Sequence, residues 1–391
     1  MKHILFLAHR APYPPDRGDK IRSNAVLTWL ADRAHVHLVA FADDPADRIV
    51  PEMLCSKLAS ATIVTRRRSR GAAVVSALAS GQSVSLAAFK DRAMTVAVRQ
   101  ILASRPIHAI YAFSGQMAQY LPTTPRAIMD FVDVDSAKFA ALAGKARGPM
   151  RWLMTREARL LGAYERAVAA RAEASLFVSE AEAALFRAGG GEGNVMVVEN
   201  GIDTVRFDPA TVGPVETDDP LIVFTGQMDY APNVEAVTWF ATDILPAIRA
   251  RNPAARFAIV GRSPTAGVRR LASDDVVVTG AVDDVRGWLA AASVCVAPLK
   301  LARGVQNKIL EAMAMARAVV ATPCAAEGID HDGTIVVADG AAAFAGAVSA
   351  LIDDVRRADA IGQAARARVI ARYSWDGRLA LLDALLAPSA A

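Results

Sequence analysis

Short unbroken apolar runs recur along this chain, and between them lie stretches whose apolar residues fall three and four apart. In the first half the runs are Ile4–Ala8, Val36–Phe41, Thr62–Val64, His108–Phe113, Ala127–Val132, Ser175–Ser179 and Val195–Val198. Runs this short, bounded by turn residues, predict buried strands. Helical spacing is expected over Ile21–Leu30, over 150–174 and from Glu180 onward. The pattern restarts after residue 220 with Leu221–Gly226, Arg256–Gly261, Val276–Gly280, Val294–Leu299 and Val319–Thr322. Helices are predicted from about Asn233 to Ala250 and over Leu310–Ala316, whose residues are good helix formers. Strand, loop, helix, strand, repeated in both halves, predicts two doubly wound α/β domains with parallel sheets. Such sheets place ligands at the carboxyl ends of their strands.

Punctuation divides the halves. Residues 208–220 are polar and contain Pro209, Pro214 and Pro220, which reads as an interdomain linker. The expected domains are 1–205 and 216–372, with the apolar tail 375–391 capping one of them. Three strands of the second half end in or beside glycine (Gly226, Gly261, Gly280), leaving room for a ligand along one sheet edge.

Composition narrows the class. At 391 residues and 53% hydrophobic, with 21% charged residues, the chain supports two ordinary cores. Cys55, Cys295 and Cys324 are scattered and fit neither a metal knuckle nor a disulfide framework, so a cytoplasmic location is the default. No run of apolar residues is long enough to span a bilayer, and Ile4–Ala8 is too short for a signal peptide. Charge is uneven. Residues 1–198 carry 26 Lys+Arg against 17 Asp+Glu (net +9) and residues 199–391 carry 18 against 23 (net −5), giving +4 overall. A basic first half suits an anionic membrane surface or an anionic acceptor. Nucleic acid is disfavoured, because nothing interleaves aromatics with cations. The run Arg66-Arg67-Arg68-Ser69-Arg70 beside Ala73–Leu78 reads as a solvated charge cluster, with a membrane contact as the alternative.

The candidate chemistry centres on Arg303-Gly304-Val305-Gln306-Asn307-Lys308-Ile309-Leu310-Glu311. The stretch passes from a polar loop into a helix, whose first turn exposes unpaired N–H groups and the positive dipole end. That geometry receives phosphate. Arg303 and Lys308 add cations, and Glu311 offers a carboxylate for vicinal hydroxyls, a combination suited to a nucleotide sugar. An exposed Lys308–Glu311 pair at i,i+3 would explain the same residues without a ligand. In the first half, Gly18-Asp19-Lys20 follows the Pro-rich loop after the first strand. Asp133 and Asp135 follow Ala127–Val132, where a helix N-cap at Asp135 or Ser136 and an acceptor-site carboxylate are both preferred to a metal ligand.

These segments together resemble the GT-B glycosyltransferases of glycosyltransferase family four. The likeness rests on Pro12–Pro15 with Gly18–Lys20, Phe131–Ser136, Phe177–Glu180, Glu199-Asn200-Gly201-Ile202-Asp203, Phe224–Asn233, and Leu310–Met315 with Val319–Thr322. The nearest subgroup is the sugar transferases associated with exosortase and exopolysaccharide systems. The resemblance implies two Rossmann-like domains facing a central cleft and a C-terminal helix packed back on the first domain. It also implies retaining, metal-independent transfer to a hydroxyl of a lipid-linked or surface-polysaccharide glycan. The donor is a nucleoside-diphosphate sugar and no cofactor is required. The expected location is cytoplasmic, with peripheral attachment to the inner face of the plasma membrane.

For the donor the resemblance selects Gly226, Gln227, Gly261, Arg262, Gly304, Val305, Gln306, Asn307 and Glu311, the last as ribose ligand. Arg303 and Lys308 are expected to stabilise the leaving diphosphate. Asp133 and Asp135 are expected as acceptor anchors or proton acceptors, with Gly18, Asp19 and Lys20 on the acceptor side and no metal ligands. Two positions depart from the pattern. Arg303 stands where the family has the first Glu of its E-x7-E pair, and the cations usual after the first strand of the second domain are replaced by Gln227 and an uncharged stretch. A non-catalytic sugar-nucleotide or glycan binder, or a nucleotide-sugar epimerase, is the alternative reading.

Overall fold

A computed structural model describes residues 2–15, 18–66, 70–124, 126–217, 219–302 and 305–387. The chain divides into two compact units, Met1–Asn200 with Arg378–Ala391, and Gly201–Gly377.

The first unit is built on β1 (His3–Ala8), β2 (His35–Ala42), β3 (Ser60–Thr65), β4 (Ile107–Phe113), β5 (Arg126–Val132), β6 (Ala174–Phe177) and β7 (Val195–Val197). Among the described residues these form one parallel sheet, ordered β3-β2-β1-β4-β5-β6-β7. Leu5, Leu7, Val39, Phe41, Ile110 and Met129 are buried within it. A sheet covered on both faces needs apolar residues on both faces of each strand, which is why its strands read as continuous runs rather than alternations.

The second unit repeats the plan with β8 (Leu221–Thr225), β9 (Arg256–Val260), β10 (Val276–Gly280), β11 (Val294–Ala297), β12 (Val319–Ala321) and β13 (Val336–Val337), ordered β10-β9-β8-β11-β12-β13. Chain order reverses direction between β1 and β4 in one sheet and between β8 and β11 in the other. Those switch points open crevices at the strands' carboxyl ends. The loops after β8 and β11 are therefore placed to meet a ligand.

Several expectations need correction. Residues 208–220 belong to the second unit, where the Val215 amide donates to Gly287 O at 3.0 Å. The helix expected over 233–250 is a helix Ala231–Trp239, a π turn Phe240–Ile244 and a helix Leu245–Arg249. Pro246 has no N–H to give to the regular ladder, and the widened turn precedes it. The cap of the helix Asp135–Lys145 is Val134, with no side-chain cap bond, so neither Asp135 nor Ser136 caps it. The helices Arg92–Ser104, Ala341–Asp353 and Val355–Tyr373 were not anticipated.

The C-terminal segment is held to the first unit by named bonds. Arg126 donates to Leu385 O and Ala387 O, both at 3.0 Å, and Arg378 pairs with Glu199 at 2.6 Å. Among the described residues no helix is long and apolar enough to cross a membrane.

Candidate functional site

In the second unit the β8 and β9 loops close on each other. The Gly226 amide donates to Val260 O at 3.0 Å and the Met228 amide to Arg262 O at 2.9 Å. A Cβ on Gly261 would collide with Gly226 O. Only glycine allows this approach, which leaves backbone where side chains would otherwise stand. Gln227 and Arg262 are exposed on the two loops. Asn233 is buried, and its Nδ2 donates to Gln227 O at 2.9 Å, fixing the loop to the helix Ala231–Trp239.

The helix Asn307–Ala314 enters beside these loops. Ile309, Leu310, Ala312, Met313 and Ala314 are buried, so its apolar stripe packs on the sheet and Lys308 and Glu311 fall on the remaining face. The residue before it, Gln306, provides no side-chain cap. Lys308 Nζ donates to Asn233 Oδ1 at 2.5 Å and sits 4.2 Å over the Phe224 ring. A Cβ on Gly226 would lie 3.3 Å from that nitrogen. The ammonium thus stands at the carboxyl end of β8, although Lys308 follows β11 in sequence.

Burial sets the charges of this pair. It pulls the Lys308 ammonium down to about 8, partly offset by Glu311. It pushes the Glu311 carboxyl up to about 7, against the opposing pull of Lys308 and Arg206. Among the described residues the Glu311 carboxyl makes no hydrogen bond or ion pair, so the two are not the exposed surface pair that spacing alone allowed. A buried carboxyl without a partner is costly and is suited to a ligand that brings hydroxyl donors. Val305 and Gln306 are half-buried beside the helix start and Asn307 is exposed. Arg303 and Gly304 lie outside the described residues.

A concavity of 590 Å³ lies along the helix Ala231–Trp239, lined by Asp229, Glu235, Trp239, Asp243 and Lys300 among others. It contains neither Lys308 nor Glu311. Three carboxylates repel a diphosphate, so the Gly226–Lys308 corner is the better anion site.

In the first unit, Asp133 and Asp135 share the Lys138 ammonium, at 2.7 and 3.4 Å, and Gln116 Nε2 donates to Asp135 at 3.1 Å. The lysine offsets part of the pair's negative charge. Gly18 is exposed at the start of the helix Gly18–Ala31. Asp19 accepts from Arg10 at 2.7 Å and faces His9 at 3.4 Å. These donors hold its carboxyl well below the usual carboxylate range, although burial alone would raise it. Lys20 is a correction. Its ammonium is buried between Tyr13 O at 3.0 Å and Asp47 Oδ1 at 2.8 Å, so it fastens the Pro-rich loop and faces no open site.

Sequence reasoning also missed His9 and Arg10, at the end of β1, whose polarity there was the available signal. It missed Arg22 too, fully buried against Asp130 (2.9 Å) and Val198 O (2.6 Å), with Tyr111 Oη donating to Asp130 at 2.7 Å. A carboxylate inside the apolar run of β5 was the only hint. Asp130 also accepts from the Val132 amide at 3.2 Å, and Val132 adopts φ 70°, which is strained for a β-branched residue. The network fixes the strand end from which Asp133 projects. Of the basic run 66–70, residues 67–69 lie outside the described residues, and Arg66 pairs with Asp43 at 2.7 Å.

Residues 219–354 match the family model described as Glycosyl transferases group 1. That segment includes Gly226, Gly261, Lys308 and Glu311. No curated protein sequence matches the chain. Among solved structures, the chain is similar to sucrose-phosphate synthase from Thermosynechococcus elongatus (17% identity, TM-score 0.63), covering 98% of each chain. It is similar to HepE of Anabaena in complex with UDP (16%, TM-score 0.63), covering 99% of each. A third is WaaG, a glycosyltransferase involved in lipopolysaccharide biosynthesis (14%, TM-score 0.62), with 97% of this chain and 99% of that one covered. Two parallel sheets with helices, matched over nearly the whole length by glycosyltransferases of this architecture, make the fold GT-B.

Proposed function

We propose that this protein is a glycosyltransferase that moves a sugar from a nucleoside-diphosphate sugar to a hydroxyl. The observation that carries the reading is the Lys308 ammonium at the end of β8 with the unpartnered Glu311 carboxyl one turn further along the same helix. The matching of 219–354 to group 1 glycosyl transferases, and the HepE complexes with UDP and UDP-glucose, support a nucleotide sugar as donor.

In this reading Glu311 accepts from the ribose hydroxyls, while the β8 and β9 loops border the diphosphate. Lys308, with the uncapped amides at the start of its helix, faces the diphosphate oxygens. As the sugar–phosphate bond breaks, charge grows on the departing oxygen, and a preorganised cation there lowers the barrier. Lys308 supplies the cation that the loop after β8 lacks, and Arg303 adds a second. The acceptor hydroxyl's proton passes to the departing phosphate oxygen, so transfer proceeds with retention and without a metal. Asp133 and Asp135 orient the acceptor, a lipid-linked or surface-polysaccharide glycan of the exopolysaccharide type.

Incubation with a panel of nucleoside-diphosphate sugars and glycan acceptors, with and without chelator, tests this. Nucleoside diphosphate release coupled to a glycoside of unchanged anomeric configuration is expected. Tight donor binding with neither transfer nor hydrolysis would favour the non-catalytic binder, for which Arg303 in place of Glu is the motivating residue. An epimerised free sugar formed without acceptor would favour the epimerase.

A further inference from the structure

Asn233 is the third residue of the helix Ala231–Trp239 and is 6% exposed. Both ends of its side chain are engaged. Nδ2 donates to Gln227 O at 2.9 Å, and Oδ1 accepts from the Lys308 ammonium at 2.5 Å. Turned over, the amide would set N–H against an ammonium and oxygen against a carbonyl, so its partners fix one orientation. The loop after β8 closes the remaining side: a Cβ on Gly226 would lie 2.8 Å from Nδ2 and 3.3 Å from Lys308 Nζ.

Stapling the loop to the helix accounts for Nδ2 but not for Oδ1. Lysine carries its charge on a flexible stem and can turn to more than one acceptor. Glu311 stands one turn further along the same helix, at the i,i+3 spacing that favours an ion pair. Among the described residues that pair does not form, and the Lys308 ammonium has no hydrogen bond other than the one to Asn233. The Phe224 ring, 4.2 Å away, covers one side of it. An ammonium has three N–H groups, so a single bond to Asn233 leaves donors for a ligand.

Which acceptor holds the lysine decides what the site can bind. An ion pair with Glu311 would consume in one contact the cation for a diphosphate and the carboxyl for ribose hydroxyls. A neutral amide oxygen holds the cation without cancelling its charge. We infer that Asn233 is a positioning residue for the donor: its amide oxygen keeps the Lys308 ammonium at the Gly226 corner and away from Glu311, so that cation and carboxyl both stay open to a nucleoside diphosphate. The identity of that ligand rests on the nucleotide-sugar reading above; the placing of the lysine does not.

Two measurements test this. In the first, lysine labelled with carbon-13 at Cε is titrated by NMR, with Lys308→Met assigning the resonance. Among the described residues the charged group facing Lys308 is Glu311 on its own helix, and burial sets the parent's midpoint at about 8. Asn233→Asp puts a carboxylate of the same shape in place of the neutral oxygen, and the midpoint should rise by about one unit or more. In the second, calorimetry follows UDP and inorganic pyrophosphate, which has no ribose. Asn233→Asp should bind both about tenfold more weakly, because the ammonium stays protonated but is neutralised. Asn233→Ala should also lose about tenfold for pyrophosphate as the lysine turns to Glu311. Adding Glu311→Gln should restore most of that loss, and should improve pyrophosphate binding more in the Asn233→Ala background than in the parent.

An unmoved lysine midpoint in Asn233→Asp, or a Glu311→Gln effect equal in both backgrounds, would overturn the inference and leave Asn233 as a staple between loop and helix. A midpoint that rises as stated, in a protein whose parent form binds neither UDP nor pyrophosphate, upholds Asn233 as the holder of Lys308 and overturns the nucleotide-sugar reading instead. Should Asn233→Asp not fold, the cycle of Asn233→Ala and Glu311→Gln decides alone.

Discussion

Lys308→Met separates a binding residue from a structural one, because the two roles move stability in opposite directions. Burial lowers the ammonium from 10.5 to about 8. At 1.36 kcal/mol for each pKa unit, holding that charge at neutral pH costs the fold up to about 3 kcal/mol. Partial exposure and the hydrogen bond to Asn233 reduce this, leaving about 1–2 kcal/mol as the gain on removing the charge. Methionine keeps an apolar stem against Phe224. The variant should melt a few degrees higher, since about 1 kcal/mol corresponds to roughly 2–4 °C for a unit of this size.

The pH dependence has a definite sign. The folded value lies below the unfolded one, so the cost is complete below pH 8 and fades as pH rises towards 10.5. The gap between the parent and Lys308→Met should therefore narrow over that window. Nucleotide binding should move the other way. A charge-assisted hydrogen bond to the diphosphate contributes about 1.5–3 kcal/mol, so UDP affinity should fall about 10- to 100-fold in the variant. In the parent, affinity should decline above pH 8, because the diphosphate binds the protonated amine. Differential scanning calorimetry across pH, with calorimetric titration of UDP, GDP and ADP, measures both arms. A variant that is less stable than the parent and binds nucleotide equally well would refute the reasoning and make Lys308 a packing residue.

Further substitutions address the other parts of the machinery. Glu311→Gln should stabilise the fold by about 1–2 kcal/mol above pH 7 and by nothing below pH 4.5, because burial raises the carboxyl to about 7 and the cost grows between those values; denaturant melts at two pH values check this. The same variant should cease to distinguish UDP from a 2′,3′-dideoxy analogue, measured by titration. Gly261→Ala should cost about 3 kcal/mol or more, since its Cβ meets the Gly226 carbonyl, whereas Gly226→Ala meets only the Asn233 and Lys308 side chains and should weaken nucleotide binding more than stability. Arg22→Met should cost about 3–5 kcal/mol in urea unfolding by stranding the Asp130 carboxylate, and adding Asp130→Leu should recover part of that loss.

What the sequence made legible follows from how polar residues stand against an apolar pattern. The strands were readable because parallel strands covered on both faces must be apolar throughout. The two-residue β13 was not, because Val336–Val337 is too short to differ from any loop. The long helices after residue 340 are rich in alanine, which strands, loops and helices of this chain all share. Lys308 and Glu311 stood out because they interrupt an otherwise apolar helix, and polarity at such places requires an explanation. The same reasoning misjudged Lys20. Its flanking residues look like a solvent-facing loop, and nothing local reveals that Asp47, 27 residues away, encloses its ammonium.

Arg22 makes the general reason clear. Its partner Asp130 is 108 residues distant, and each charge taken singly sits in an unremarkable context. Neither is tolerable when buried alone, yet together they hold the strained Val132 and the strand end that presents Asp133. Pairing is thus created by sheet order. β1 is hydrogen-bonded to β4, and β4 to β5, which brings the helix after β1 to the end of β5. The same logic sets Lys308 at the end of β8: the pairing of β8 with β11 delivers a cation from the helix after β11 to the loop after β8, which has none. A substitution pattern that removes charge after β8 is therefore compatible with an intact anion site, provided the residue after β11 that reaches across remains basic.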